Sequence, residues 1–187
     1  MNGKARLLAA IQVLMIGLVF VITIQGCGDS LEKKPATFKA VHIDDADECH
    51  LCGMVINQFP GPKGQLFEKN KQSVRKFCST NDLFAYLLQP ENKYQIAKAL
   101  VHDMSASVWN DTRETELIDA KDAWYVGGHK LPGAMGPTLA SFKDQAVAQK
   151  FSEQQGGHLL RFEEIDLASL AEFNKLRMAI PAPVNRL

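Results

Sequence analysis

The side chains best suited to metal chemistry are concentrated in one short stretch of this sequence. Residues 49–54 read Cys-His-Leu-Cys-Gly-Met, so two thiols, an imidazole and a thioether fall within six consecutive positions. Soft sulfur ligands favour monovalent copper, whereas sets of oxygen ligands favour magnesium or calcium. The stretch therefore predicts a Cu(I) site that includes Cys49, Cys52 and the thioether of Met54.

A Cys-x-x-Cys pair has three other common uses, and the neighbouring residues weigh against each. A thioredoxin-like redox pair begins a long helix, but β-branched Val55 and Ile56 follow here. A structural zinc site needs a second pair of ligands at similar spacing, and the sequence has none. Haem attachment requires a histidine directly after the second cysteine, where this chain has Gly53. A thiol–disulfide oxidoreductase using Cys49 and Cys52 remains the alternative function.

A second group of soft donors lies in residues 127–137, which read Gly-Gly-His-Lys-Leu-Pro-Gly-Ala-Met-Gly-Pro. Glycine and proline predict a loop, and a methionine in such a loop has no core to fill. Met135 is therefore a ligand candidate, and His129 is a weaker one. His102 and Met104 form a third soft pair, which we expect to face a sheet.

The N-terminus has the organisation of an export signal. Lys4 and Arg6 precede an apolar run over residues 7–24, and Gly26-Cys27 follows. The run is about long enough to cross a bilayer, so a retained membrane anchor is the alternative. The Gly-Cys ending resembles the lipobox of bacterial lipoproteins. It predicts a signal peptide over residues 1–26, lipidation of Cys27 and a tether over residues 27–37.

Charge and cysteine number restrict the function further. Of the 187 residues, 161 remain after the first 26 are removed, with 19 basic and 21 acidic side chains. This balance excludes a nucleic-acid-binding protein, which needs a basic face. Besides Cys27, the chain has Cys49, Cys52 and Cys78, an odd number for a disulfide framework. Either Cys49 pairs with Cys52 and Cys78 is a small core residue, or a metal keeps the thiols reduced.

The patterning predicts an α+β fold of two small units, each with strands, a helix and a closing strand. The first unit covers residues 38–100, the second covers 101–178, and 179–187 form a tail. In the first we expect strands at 38–43, 54–59, 65–67, 73–77 and near Leu100, with a helix from 79 to 88. In the second we expect strands at 108–109, 115–118, 123–126 and 158–162, with helices at 143–154 and 167–178.

The Gly-Cys ending at Cys27, the stretch at 49–56, Asp-Ala-Trp-Tyr-Val at 122–126, the Met135 loop and Ala-Ser-Phe at 140–142 resemble the NosL family. The likeness covers nearly the whole exported part of the chain. It implies a membrane-anchored Cu(I) chaperone of the bacterial periplasm that delivers copper for the copper–sulfur centre of nitrous oxide reductase. The implied partners are that enzyme and the membrane transporter complex that assists its assembly.

The resemblance also carries expectations about fold and ligands. It implies two similar ββαβ units, packed together and related to part of the organomercurial lyase fold. The ligand candidates that it carries over are Cys49, Cys52, Met54 and Met135, with His129 and His50 as additions. Two further alternatives remain: an organomercurial lyase in which Cys78 cooperates with the other cysteines, and a structural lipoprotein with a Cys49–Cys52 disulfide.

Overall fold

The computed structural model describes residues 37–71 and 73–178, which form two small antiparallel sheets with helices. The α+β class is confirmed. The predicted signal peptide, the lipidated Cys27 and the tail at 179–187 lie outside the described residues, as does the tether apart from Thr37. Among the helices that are described, none has the length and apolar character needed to cross a membrane.

The first sheet has four strands in the order β2-β1-β3-β4. The strands are β1 (Gly64–Glu68), β2 (Val74–Phe77), β3 (Ile96–His102) and β4 (Leu117–Asp119). Helices α1 (Thr80–Leu87) and α2 (Pro90–Lys93) connect β2 to β3. The Ser79 hydroxyl accepts a hydrogen bond from the Asp82 backbone N–H and so caps α1 directly after β2. The predicted strands at 65–67, 73–77 and Leu100 and the predicted helix at 79–88 are confirmed.

The second sheet repeats this order of elements with three strands, β6-β5-β7. Its elements are β5 (Trp124–Gly127), β6 (Ala140–Phe142), α3 (Gln145–Gln155) and β7 (His158–Arg161), followed by α4 (Leu167–Met178). In both sheets the first strand is flanked by the second and third strands of the same unit. The Asp144 carboxylate caps α3, and Gly156 ends it with a positive φ. The predicted helices and the strands at 123–126 and 158–162 are confirmed. The strand expected at 115–118 is present as β4, but it pairs with β3 in the first sheet and not with the second unit.

One core cluster contains residues of both sheets. It includes Leu66 and Phe77 of the first sheet, Phe84 of α1 and Tyr125 of β5. The Phe84 and Tyr125 rings meet edge-on with centroids 5.2 Å apart, and the Tyr125 hydroxyl donates to the Ala120 carbonyl. Helix α1 therefore packs against both units.

The expected strand at 38–43 is wrong. These residues form no ladder, because the backbone N–H and C=O of Val41 both bond to the side-chain amide of Gln65. A buried glutamine thus satisfies the polar groups that a neighbouring strand would otherwise take. Alternation of apolar and polar residues is present in this segment, but its partner is a side chain.

The strand at 54–59 is also wrong. Val55 makes one bridge to Glu48, and Ile56–Gln58 forms a 3₁₀ turn in which the Asn57 amide donates to the Ile43 carbonyl. The strand at 108–109 reduces to an isolated bridge between Val108 and Asp111. Strand β6 was not expected, since three residues are too few to establish an alternating pattern.

Candidate metal centre

The Cys-x-x-Cys stretch forms a tight turn. The Cys49 N–H donates to the Met54 carbonyl at 2.8 Å, and the Gly53 N–H donates to the Cys49 carbonyl at 2.8 Å. Gly53 has φ +71°, a left-handed conformation that favours glycine. The His50 N–H donates to the Lys76 carbonyl of β2 and so fixes the turn against the first sheet.

Three thiols and one carboxylate converge beside this turn. The ligand atoms of Cys49, Cys52, Cys78 and Asp82 all lie within 4.8 Å of one another. The Cys52 and Cys78 sulfurs are 3.4 Å apart, and the Cys78 thiol donates to Asp82 Oδ2 at 3.1 Å. Cys49 Sγ lies 3.7 Å from the same carboxylate oxygen. The sequence prediction included Cys49 and Cys52 in the site, but did not include Asp82.

Cys78 and Asp82 reach the site because of the junction between β2 and α1. Cys78 follows the last residue of β2, and Asp82 lies four residues later in the first turn of α1. The hydrogen bond from the Cys78 thiol to Asp82 Oδ2 spans the Ser79 cap, so the junction holds both side chains together beside the cysteine turn. A signal for them did exist in the sequence, since a cysteine and an aspartate at this spacing flank a predicted helix start.

The sulfurs differ strongly in their acidity. The neighbouring Cys78 thiol, and after it the backbone N–H groups of Cys78, Cys52 and Leu51, hold the pKa of Cys49 well below its usual range. The same interaction with Cys49, together with burial and the Asp82 carboxylate, raises the pKa of Cys78. Burial raises the pKa of Cys52 and of Asp82. Cys49 is therefore the most readily deprotonated thiol of the group, and Cys78 the least readily deprotonated.

A buried lysine balances this negative charge. Lys63 is fully buried, and its ammonium donates to the carbonyls of Phe59 (2.6 Å) and Pro60 (3.1 Å). Gly64 pairs with Phe77 across β1 and β2, so the register places Lys63 opposite Cys78. Burial lowers the pKa of Lys63 to about 8, and electrostatic interaction with the Cys78 and Cys49 pair opposes that shift. No pattern in the sequence pointed to this residue.

The predicted thioether ligands have different surroundings. Met54 is half-buried at the end of the cysteine turn. Met135 is 62% exposed, in a turn closed by a hydrogen bond from the Gly133 N–H to the Gly136 carbonyl at 2.6 Å. Ala134, next to it, packs against the core cluster that contains Cys49 and Cys78. The Met135 loop is thus a loop, as predicted, and its neighbour contacts the core that holds the cysteines.

Neither candidate imidazole belongs to the cluster of three cysteines and Asp82. His50 bonds to Arg75 and meets the Tyr86 ring edge-on. His129 is buried with its ring edge-on to Trp109 and Phe151, and burial lowers its pKa to about 4. Its Nδ1 accepts from the Leu131 N–H at 3.2 Å, while Nε2 has no partner within the part of the chain that the structure describes.

The third soft pair, His102 and Met104, is buried. His102 ends β3, and its Nδ1 accepts a hydrogen bond from the Lys63 backbone N–H at 3.4 Å. Met104 packs in a second, smaller cluster with Val126 and Phe142. These two residues are therefore part of the packing around the sheets, as expected from their positions.

The donor set can now be tested against candidate ions. Zinc in structural sites takes four closed ligands in a tetrahedron, commonly with several thiolates or imidazoles. Here three cysteine sulfurs and one carboxylate lie together, and a lysine, Lys63, is buried nearby. A donor set dominated by sulfur suits a soft monovalent ion. The residues present fit Cu(I).

Comparison with known proteins agrees with this chemistry. The model of the NosL family matches residues 40–170. The chain belongs to the NosL family. It is 47% identical over 172 residues to the copper-binding lipoprotein NosL of Stutzerimonas stutzeri, covering 92% of this chain and 87% of that protein. It is 32% identical over 119 residues to the copper-binding lipoprotein NosL of Achromobacter cycloclastes, covering 62% of each.

A solved structure extends the likeness to the fold. The crystal structure of the copper chaperone NosL from Shewanella denitrificans matches with a TM-score of 0.67 and 48% sequence identity. The match covers 70% of this chain and 97% of that one. The two-sheet architecture is therefore that of the NosL family, and these relatives are named as copper-binding lipoproteins and a copper chaperone.

Proposed function

We propose that this NosL family member is a lipid-anchored Cu(I) carrier of the bacterial periplasm that delivers copper for the copper–sulfur centre of nitrous oxide reductase. The observation that carries the proposal is the convergence of three cysteines and Asp82 within 4.8 Å. The names of its relatives, copper-binding lipoprotein and copper chaperone, support copper as the cargo.

The proposed ligands are Cys49, Cys52, Met54 and Met135, and His50 and His129 are weaker candidates. Cys49 is the thiol that most readily becomes a thiolate ligand, because its pKa is lowered. Cys52 is only half-buried, so it faces the side from which an ion arrives. Cys78 and Asp82 complete the surroundings of the ion and take part in proton release as it binds.

Transfer proceeds by ligand exchange. A soft site with two or three strong ligands leaves room for an incoming ligand to bind the metal before an outgoing one departs. The ion therefore need not be free in solution at any step. A closed site with four fixed ligands would hold copper in place, as structural zinc sites do.

The lipid on Cys27 and the tether over residues 27–37 hold the carrier at the membrane. This confinement raises its effective concentration near membrane partners. The proposed partners are nitrous oxide reductase and the membrane transporter complex that assists its assembly.

A thiol–disulfide oxidoreductase is the second candidate, favoured by the low pKa of Cys49. This function would use a reversible Cys49–Cys52 disulfide with a reduction potential in the catalytic range. It would have no need for either methionine. The cluster of three cysteines and Asp82 favours the carrier, since an oxidoreductase of this kind needs only the Cys49 and Cys52 pair.

Anaerobic titration of the full chain in detergent tests the proposal. Against a competing Cu(I) chelator we expect tight binding of one equivalent, and native mass spectrometry should count reduced thiols at Cys49, Cys52 and Cys78 together with one copper. A protein that binds no Cu(I) when all thiols are reduced, and that cycles a Cys49–Cys52 disulfide, would be an oxidoreductase instead.

A further inference from the structure

One threonine hydroxyl links the cysteine cluster to the second sheet. Thr80 is the first residue of α1, and it lies two residues after Cys78 and two before Asp82. Its buried Oγ1 donates to the Leu139 carbonyl at 2.5 Å and accepts from the Leu139 N–H at 3.2 Å. A third contact joins it to the Thr138 hydroxyl at 2.9 Å. A hydroxyl has one donor and two acceptor positions, so these three contacts use the full hydrogen-bonding capacity of the Thr80 side chain.

The Leu139 end of this link continues directly into the Met135 loop. Met135 precedes Thr138 by three residues, so their Cα atoms can be no more than about 11 Å apart even in a fully extended chain. The loop also folds onto Thr138, since a Cβ added at Gly133 would lie 2.7 Å from the Thr138 Cβ. The turn of residues 133–136 is therefore held close to Thr138, which is itself held to Thr80.

The Thr80 end of this link is held by the first turn of α1. Thr80 is fully buried between Cys78 and Asp82, and Ser79 caps the same helical turn. A rigid helix start therefore carries two members of the cluster and the hydroxyl that binds the Met135 loop. Because Met135 itself is 62% exposed, packing around its side chain does little to place it.

We propose that Thr80 is a positioning residue that sets the distance between Met135 and the cysteine cluster, by tying Thr138 and Leu139 to the first turn of α1. The inference rests on the proposed function, in which Met135 is a Cu(I) ligand. Thr80 touches no metal in this scheme and acts only through the loop.

The test is a double-mutant cycle of Thr80→Val and Met135→Leu in the full chain, with Cu(I) affinity measured by anaerobic chelator competition. Valine keeps the shape of threonine and removes the hydroxyl. We expect each single variant to weaken Cu(I) binding about tenfold, and the double variant to be no weaker than Met135→Leu alone. Thr80→Ser keeps the hydroxyl and should restore the parent affinity.

A second readout needs no metal. In the copper-free protein, amide hydrogen exchange at Leu139 should speed up in Thr80→Val and return to the parent rate in Thr80→Ser. Thr112→Val is the matched control, because Thr112 is a buried threonine whose hydroxyl makes one long contact, 3.5 Å to the Gly61 carbonyl. It should leave both the Leu139 exchange rate and the Cu(I) affinity unchanged.

The outcomes separate the two hypotheses. An unchanged affinity in Met135→Leu refutes the thioether ligand, and the role of Thr80 with it. Suppose that Met135→Leu weakens Cu(I) binding and that adding Thr80→Val weakens it by a full further factor. The positioning role of Thr80 is then refuted while the thioether ligand stands, since the effect of Thr80 would not pass through Met135. If Thr80→Val does not fold, the same cycle with Thr138→Val decides, with an expected loss of about threefold that disappears in the Met135→Leu background.

Discussion

The two sides of the proposed copper site differ in how deeply their sulfur side chains are buried. On the thiol side, Cys49 is 3% exposed and Cys78 is fully buried, and both lie on backbone that is hydrogen-bonded to the first sheet or to α1. On the thioether side, Met135 is 62% exposed in a turn between glycines. A carrier needs both properties, because one side must retain the ion while the other gives way to an incoming ligand.

The largest loss of Cu(I) affinity is expected from a substitution of Cys49, on the buried thiol side. Cys49→Ser replaces the most acidic thiol of the cluster by a hydroxyl, which is a hard donor and stays protonated at neutral pH. We expect the Cu(I) affinity, measured by anaerobic chelator competition, to fall by about 1,000-fold, or roughly 4 kcal/mol. Serine is close in size to cysteine, so the melting temperature should change little. A loss below tenfold would remove Cys49 from the ligands.

Asp82 tests whether the thiol side depends on a charged neighbour. Asp82→Asn removes the negative charge that faces Cys49 and Cys78 but keeps the backbone N–H that Ser79 caps. Loss of such a supporting contact typically costs about 10- to 100-fold in metal affinity. Asp119→Asn is the control, because that carboxylate pairs with Lys98 and lies outside the cluster. Equal affinities in the two variants would show that Asp82 has no part in binding.

A substitution of Met135 tests the exposed thioether side of the proposed site. Met135→Leu should weaken Cu(I) binding about tenfold, roughly 1.4 kcal/mol, while leaving the free energy of unfolding unchanged because the side chain is exposed. Met104→Leu gives the reverse pattern, since Met104 is buried in the second core cluster. That control should lower stability and not affinity. X-ray absorption of the copper-loaded protein should count one sulfur fewer in Met135→Leu than in the parent.

The smallest effect on copper is expected at His129. His129→Gln should leave the Cu(I) affinity within about twofold, because the imidazole packs between Trp109 and Phe151 and lies outside the cluster. A loss of tenfold or more would make His129 a ligand.

The pH dependence of stability gives His129 a separate signature. Burial lowers its folded pKa to about 4, so between pH 6.5 and 4 the unfolded chain binds the proton that the folded protein excludes. The parent therefore loses stability as pH falls through this range, by at most about 1.4 kcal/mol per pH unit from this residue. Chemical denaturation of His129→Gln at pH 7, 5.5 and 4.5 should show a shallower slope. An identical slope in both proteins would refute the burial effect.

Much of the fold follows from local pattern. The Ser79 cap, the run after it and Pro90 define α1, and Gly156 defines the end of α3. The wrong strand predictions fall on segments that alternate as a strand would but bond to something other than a neighbouring strand. Val41 bonds to the Gln65 side chain, and the residues after Met54 enter a 3₁₀ turn. Local alternation indicates which side chains are half-buried, but it does not identify the group that satisfies the backbone.

The features of the site also divide into those that follow from local sequence and those that depend on the tertiary structure. The sequence by itself determined the soft-donor turn at residues 49–54, the glycine-rich loop around Met135 and the family, because each depends on residues that are close together in the chain. Only the tertiary structure decided that Cys78 and Asp82 join Cys49 and Cys52, that Lys63 lies opposite Cys78, and that Thr80 bonds to Thr138 and Leu139. These contacts join positions up to 59 residues apart, and strand register and helix packing bring them together, which no local spacing reports.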